Sequence, residues 1–368
     1  MPSYIHELSD WPRFAWNHQT VSAPLASARH KQGRLLGQME ALGFKVKEEA
    51  VLRTLTDDVL KSSEIEGERL DAEQVRSSVA RRLGMDIGAL KPADRNVEGV
   101  VEMMLDATQR YDQPLTSERL FGWHAALFPT ARSGMRPVRV GAWRDDNTAP
   151  MQAVSGPVGR ERVHFEAPAA PRLKKEMRRF LGWFNSDATT DPVLKAAQAH
   201  LWFVTIHPFD DGNGRIARAI ADMALARSEE STQRFYSMSA QIRLDRSDYY
   251  RVLEQTQQAS MDVTPWMAWF LACLTQAIEG AHGALAGVIT KARYWEKLRD
   301  LPMNDRQRLV INRLLDGFEG KLTTSKWAAL TKSSQDTALR DIQQLVDRGA
   351  LIRNPAGGRS TTYSLSGL

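Results

Sequence analysis

Residues 207–218 read HPFDDGNGRIAR and set a histidine, two adjacent acids, a Gly-Asn-Gly turn and two arginines within twelve positions. Helical patterns lie on both sides: apolar residues recur at three- and four-residue spacing in VLKAAQAHLWFV before the stretch, and RIARAIADMALAR continues from it. A Gly-Asn-Gly turn feeding a helix aims backbone N–H groups and the positive helix end at one point, an anion site whose natural guest is phosphate. Arg215 and Arg218 lie at i and i+3 on the first turn, so both guanidiniums can bracket one anion with fork geometry. Such a density of donors points to more than one phosphate. Two other readings compete. Asp-Gly and Asn-Gly pairs mark ordinary turns, and a helix–turn–helix corner would use Gly212, Asn213 and Gly214 without any function. Gly212, Gly214 and Ala217 also spell G-x-G-x-x-A, but that dinucleotide fingerprint needs a strand before it, and a helical pattern stands there instead.

A polyphosphate normally arrives with magnesium, which takes oxygen ligands, keeps several waters and often needs only one or two protein carboxylates. Asp211, beside the turn, is the candidate ligand. His207 stands at the other end of the loop with an ordinary pKa of about 6.5, which suits a general base at neutral pH. A base facing a metal-bound polyphosphate implies nucleotidyl or phosphoryl transfer to an incoming hydroxyl.

Outward from the loop the chain is mainly α, with further helical spacing in segments such as DYYRVLEQTQ. One break is GAWRDDNTAPMQAVSGPVGRERVHFEAPAAP, rich in Gly, Pro and Asn with short extended pieces at each end, which predicts a hairpin or flap. The other is GALIRNPAGGRSTTYSL, two short strands around a Pro-Ala-Gly-Gly turn. Three helical patterns with Ser/Thr starts and Gly exits precede that hairpin, and the order helix, helix, helix, β-wing resembles a winged-helix domain. The linker to it falls near RDLPMND, 299 to 305.

At 368 residues the chain suits two or three domains. Its single cysteine, Cys273, excludes an intramolecular disulfide framework and any cysteine-rich zinc site. The opening MPSYIHELSDWPRFAWNHQT has no apolar run of the kind a signal peptide carries, and PWMAWFLACL is too short for a membrane span. A cytoplasmic protein with no transmembrane segment is expected. From residue 301 onward there are ten Lys/Arg and six Asp/Glu, so +4 of the formal net charge of +5 sits in the last 68 residues. That excess leaves DNA or protein open as a partner of the C-terminal module.

The second informative stretch is KSSEIEGERL, residues 61–70. Ser63 and Glu66 have capping-box spacing, but a helix starting there would meet Gly67 in its first turn at a cost of about 1 kcal/mol. A helix that ends at Gly67 reads better. Ser62 and Glu66 then share one face, and Glu66 sits near the negative helix end, where a carboxylate calls for a cation.

HPFDDGNGRIAR resembles the signature of the Fic family, His-Pro-Phe-x-Asp-Gly-Asn-Gly-Arg-x-x-Arg, at every fixed position. AAQAHLWFVTI, GAWRDDN, RVHFEAP, YYRVLEQTQ and DVTPWMAWFL extend the resemblance, and residues 11–44 resemble the N-terminal helical region of a bacterial subgroup, so most of 10–275 is covered. The resemblance implies a Fic-type helical core with a β-hairpin flap, transferring AMP from ATP to a hydroxyl side chain of a target protein. It assigns His207 as catalytic base, Asp211 to magnesium, and Gly212, Asn213 and Gly214 to a phosphate cradle. Arg215 and Arg218 would bind the outer phosphates, with Phe209 anchoring the loop. Tyr249, Tyr250 and Gln257 would line the nucleotide pocket, and the flap, roughly 145 to 163, would dock the target by strand addition. Ser62, Glu66 and Gly67 match the family's inhibitory motif, with Glu66 paired to Arg218. The expected layout is an N-terminal helical region (1–95, with the inhibitory helix at about 48–67), a Fic core (96–298) and a winged helix (299–368). Transfer of other phosphate-linked groups, removal of AMP, a DNA-bound regulator with a silent or sensory core, and a homodimer that hides or exposes the inhibitory segment stay open.

Overall fold

Polar caps set most of the helix starts in this computed structural model, which describes residues 4–40, 44–87, 90–145, 150–155, 162–186, 190–258, 260–315, 317–318, 320–355 and 361–367. After α1 (His18–Glu40) and α2 (Phe44–Ile65) come α3 (Ala72–Arg82), α4 (Arg95–Gln109) and α5 (Ser117–Leu127). The last three open on Asp71, Asp94 and Thr116, each accepting an N–H from the residue three further on. Two short hairpins follow. β1 (Arg132–Ser133) pairs with β2 (Arg136–Pro137), and β3 (Gln152–Ser155) pairs antiparallel with β4 (Arg162–Glu166). The second hairpin lies in the segment expected to be a flap, although residues 146–149 and 156–161 of that segment fall outside the described residues. α6 (Leu173–Phe184), α7 (Pro192–Ile206), α8 (Asn213–Glu229), α9 (Met238–Leu244), α10 (Arg246–Gln257) and α11 (Thr264–Lys297) complete the series.

The chain folds into two compact units, 1–281 and 282–368. In the first, α7 and α8 form a helical hairpin at the centre. Their middle turns are buried on every side, which is why both read as almost continuous small and apolar residues without an amphipathic stripe. The N-terminal helical region expected over 1–95 belongs to this unit. Its arm is tied in by long-range bonds: the Trp11 indole donates to Glu176 at 2.9 Å, and Ala15 exchanges backbone hydrogen bonds with Met261 and Val263. The inhibitory helix expected over about 48–67 runs instead from Phe44 to Ile65. Gly67 takes a left-handed φ of 85°, so the chain turns away there and Glu66 lies just past the last helical residue.

The second unit holds α12 (Asp305–Leu315), α13 (Thr324–Thr331) and α14 (Gln335–Asp347), then β5 (Leu351–Arg353) paired antiparallel with β6 (Tyr363–Leu365). The Pro-Ala-Gly-Gly turn lies mostly outside the described residues, which omit 356–360. Thr323 and Ser334 cap α13 and α14 as their sequence foretells. α12 departs from the pattern, because Asn304 and Gln307 exchange backbone-to-side-chain bonds at its start in place of a Ser/Thr cap. Trp327, Ile342, Leu345, Leu351 and Tyr363 fill the core, joined by Tyr294 and Leu298. Those two residues explain why the boundary expected at 298/299 falls at 281/282.

Candidate active site

α7 stops at His207 because Pro208 has no N–H to continue the ladder and disfavours a helical residue before it. His207 caps the helix in the left-handed region, φ 51° and ψ 58°. Its Nδ1 lies 3.2 Å from the Val204 carbonyl, a hydrogen bond that assigns the proton to Nδ1 and leaves the Nε2 lone pair free. Burial pushes its pKa down to about 4, so the imidazole is neutral at physiological pH. It lines a cavity of about 700 Å³ together with Glu66, Gly214, Tyr249, Tyr250 and Gln257, and β3 and β4 supply another wall.

Aromatic packing fixes the loop after the histidine. Phe209 is fully buried, stacked on His124 at a centroid distance of 4.2 Å and tilted against Trp143 at 5.1 Å. Asn213, expected in the phosphate cradle, turns its buried side chain inward: Oδ1 accepts from the Phe209 N–H at 3.0 Å and Nδ2 donates to the Phe209 carbonyl at 2.8 Å. The amide therefore closes the loop on itself. Gly212 has φ 78°, and a Cβ there would meet the Phe128 ring at 2.9 Å, so only glycine fits.

α8 begins at Asn213, which places Arg215 in its first turn and Arg218 one turn later. Each of the two guanidiniums, expected to bracket a single anion, holds a carboxylate of its own. Arg218 is buried and donates from Nε to the Ser62 hydroxyl at 3.0 Å, and from Nη2 to the Ser62 carbonyl at 2.9 Å and to Glu66 Oε1 at 2.8 Å. Arg215 Nη1 donates to Glu68 Oε2 at 2.6 Å. Gly214 shows how far the Glu66 carboxylate reaches: a Cβ at that position would stand 2.2 Å from Glu66 Oε1. The acid thus occupies space at the N-terminus of α8, where backbone donors favour an anion.

The three pocket residues all reach the cavity with their polar groups differently engaged. Tyr249 is buried, its hydroxyl 3.0 Å from His200 Nε2. Gln257 donates to the Thr205 hydroxyl at 3.2 Å. Tyr250 is half-exposed, with Arg246 stacked over its ring. Asp211 accepts from the Ser133 hydroxyl and from the Gly212 N–H, while Asp210 accepts from the Arg139 N–H at 2.8 Å. Among the described residues no group of three or more His, Cys, Asp or Glu converges on one point. A single carboxylate beside a phosphate seat still fits magnesium, which draws its other ligands from phosphates and water.

Several site residues escaped the sequence reading. Ser133 holds Asp211, and Arg144 donates to the His207 carbonyl at 2.8 Å. Glu68 holds Arg215, and Arg246 donates to the Ile65 carbonyl at 2.9 Å. Of these, Glu68 had a local signal, as a second acid two positions after Glu66 opposite a loop with two arginines.

Residues 114–225 match the profile of the Fic/DOC family, and residues 4–85 match a domain of unknown function, DUF4172. Protein adenylyltransferase Fic of Nematostella vectensis is 33% identical over 114 residues, 30% of this chain and 25% of that protein. The Drosophila melanogaster protein of the same name is also 33% identical over 114 residues, 22% of its length. The match therefore spans about a quarter of these relatives. Among solved structures, a Fic family protein from Desulfovibrio desulfuricans G20 superposes with a TM-score of 0.56 at 21% identity, covering 95% of this chain and 96% of that one. A Fic domain containing signaling protein from Bacteroides thetaiotaomicron gives 0.52 at 19% identity over 71% and 98%. At these identities the likeness concerns the fold.

Proposed function

Because this chain is a Fic family protein by its domain at residues 114–225, we propose that it transfers AMP from ATP to a hydroxyl side chain of a target protein, and that Glu66 holds it inactive. The observation that carries the reading is the carboxylate of Glu66 on Arg218 and over Gly214, seated at the helix N-terminus beside a neutral histidine. An acid in an anion seat is a stand-in for the phosphate that belongs there.

In the reaction, the target hydroxyl oxygen attacks the α-phosphorus of ATP, the bond from that phosphorus to the bridging oxygen breaks, and pyrophosphate leaves. His207 Nε2 takes the hydroxyl proton. Backbone N–H groups at the start of α8, with Arg215 and Arg218 once released, bind the phosphates. Asp211 would hold magnesium, whose contribution is to neutralise phosphate charge. The target segment adds to the β3–β4 hairpin, where Val154 and Val163 are 50% and 40% exposed, enough to offer apolar contacts to an incoming strand.

The test is incubation of wild type and Glu66→Gly with ATP and cell lysate, followed by intact and peptide mass measurement. A mass gain of AMP on hydroxyl residues supports the reading; a gain of phosphate, or loss of AMP from a modified protein, replaces it with another group transfer.

A further inference from the structure

His207 is held from both ends. Its side chain is fixed by Val204, but the left-handed backbone that aims it is unfavourable for any residue bearing a β-carbon. Such a cap persists only where its surroundings over-determine it. The surroundings come from residues 139–144, after β2, which run along the loop. The Arg139 N–H donates to Asp210, the Trp143 ring packs on Phe209, and the Arg144 N–H donates to the Pro208 carbonyl at 2.9 Å. Arg144 is 3% exposed, and its side chain donates from Nε to the His207 carbonyl at 2.8 Å and from Nη2 to the Pro168 carbonyl just after β4.

We propose that Arg144 is the positioning residue of the base: its guanidinium binds the His207 carbonyl and thereby holds the left-handed cap that aims the imidazole into the cavity. This rests on AMP transfer as the reaction and adds a residue to it. The His207 carbonyl lies at the C-terminus of α7, where helix carbonyls lack partners of their own. A buried carbonyl without a donor is costly, so the backbone would relax to find one and the imidazole would swing with it. Arginine suits the place because one planar group donates to two carbonyls in different directions, and its charge complements the negative helix end. Lysine supplies charge and a donor without the fork.

The test compares Arg144→Met and Arg144→Lys in the Glu66→Gly background, with selectively labelled His207. Arg144→Met should lower kcat for AMP transfer about 10²-fold while KM for ATP stays within about twofold, and Arg144→Lys should recover part of the rate. The imidazole nitrogen shifts should move from a pure Nδ1–H tautomer in the parent to a mixture in Arg144→Met. A folded Arg144→Met that keeps both the tautomer and kcat, losing only thermal stability, overturns the proposal. Should Arg144→Met not fold, Arg144→Lys decides by the same two readouts, and parental values for both overturn it. Should the parent itself transfer no AMP, the reaction is wrong, yet the nitrogen shifts still decide whether Arg144 orients His207.

Discussion

The neutral, left-handed cap at His207 follows from where α7 stops and from what surrounds the stop. Burial removes water from the imidazolium, and Arg144 adds a like charge, so the folded pKa is about 4 and the base form dominates above it. Because the Glu66 carboxylate raises the His207 pKa, the acidic limb of kcat/KM for AMP transfer by Glu66→Gly should fall at about pH 4 or lower; a limb at the ordinary value of about 6.5 would show a solvated imidazole. His207→Ala should lower transfer by roughly 10²–10⁴-fold with ATP affinity and thermal stability nearly unchanged, as read by calorimetric titration and thermal melts. The histidine and the two arginines were legible in the sequence because their chemistry lies within one loop. Arg144 was not, and Glu68 left only the hint of a second acid close after Glu66. They meet their partners across 63 and 147 residues, and short-range spacing carries no trace of such a contact.

At the scale of elements, the end of α2 is a helix C-terminus gripped by arginines. Arg218 takes the Ser62 carbonyl, Arg246 the Ile65 carbonyl, and Arg243 lies 3.4 Å from Glu64. Free carbonyls and a negative dipole end make this a natural seat for cations. In the proposed reaction ATP would compete for Arg218, and Glu66→Gly should raise modification and self-modification about tenfold to a hundredfold, matching a charge-assisted pair of about 1.5–3 kcal/mol. Glu66→Gly with Arg218→Ala should return to low activity; equal activity of wild type and Glu66→Gly at saturating ATP would reduce the segment to a helix end. The stop at Gly67 was readable from glycine alone, and the face shared by Ser62 and Glu66 follows from it. A different element contact was invisible. Gly99 on α4 meets α5 so closely that a Cβ would stand 1.8 Å from the Ala126 carbonyl oxygen. Gly99→Ala should cost about 1–3 kcal/mol or more by forcing the helices apart, seen as a lowered melting temperature. An isolated glycine in a helical pattern signals nothing about which neighbour approaches it.

At the scale of the whole molecule, the N-terminal arm shares one unit with the helices expected as the core because partners far along the chain hold it, Trp11 by Glu176 and Ala15 by residues 261–263. Burying that arm and the α7–α8 hairpin also buries histidines. His124 and His207 are pushed down to about 4 and His200 to about 3, each chiefly by burial, and His6 is lowered for the same reason. Unfolded, these groups take up protons near pH 6.5; folded, His124, His200 and His207 stay neutral until about pH 4 or below, and His6 takes up its proton only below its ordinary range. Between those limits the unfolded chain binds more protons, so stability falls as pH drops from 6.5 towards 4, each histidine contributing up to about 1.4 kcal/mol per pH unit. Asp222, raised by burial beside Asp58, and Asp57, raised by burial, act in the opposite direction, since their folded carboxyls hold protons that the unfolded ones release. His124, His200 and His207 are each displaced by about two pH units or more, and on that account the expected balance lies with the histidines. Thermal melts should show a lower melting temperature at pH 4.5 than at pH 7, and the dependence should be shallower in His200→Gln, which removes the most depressed of the four. A melting temperature flat across that range, or one rising on acidification, would mean that the imidazoles are hydrated in solution or that the acids outweigh them.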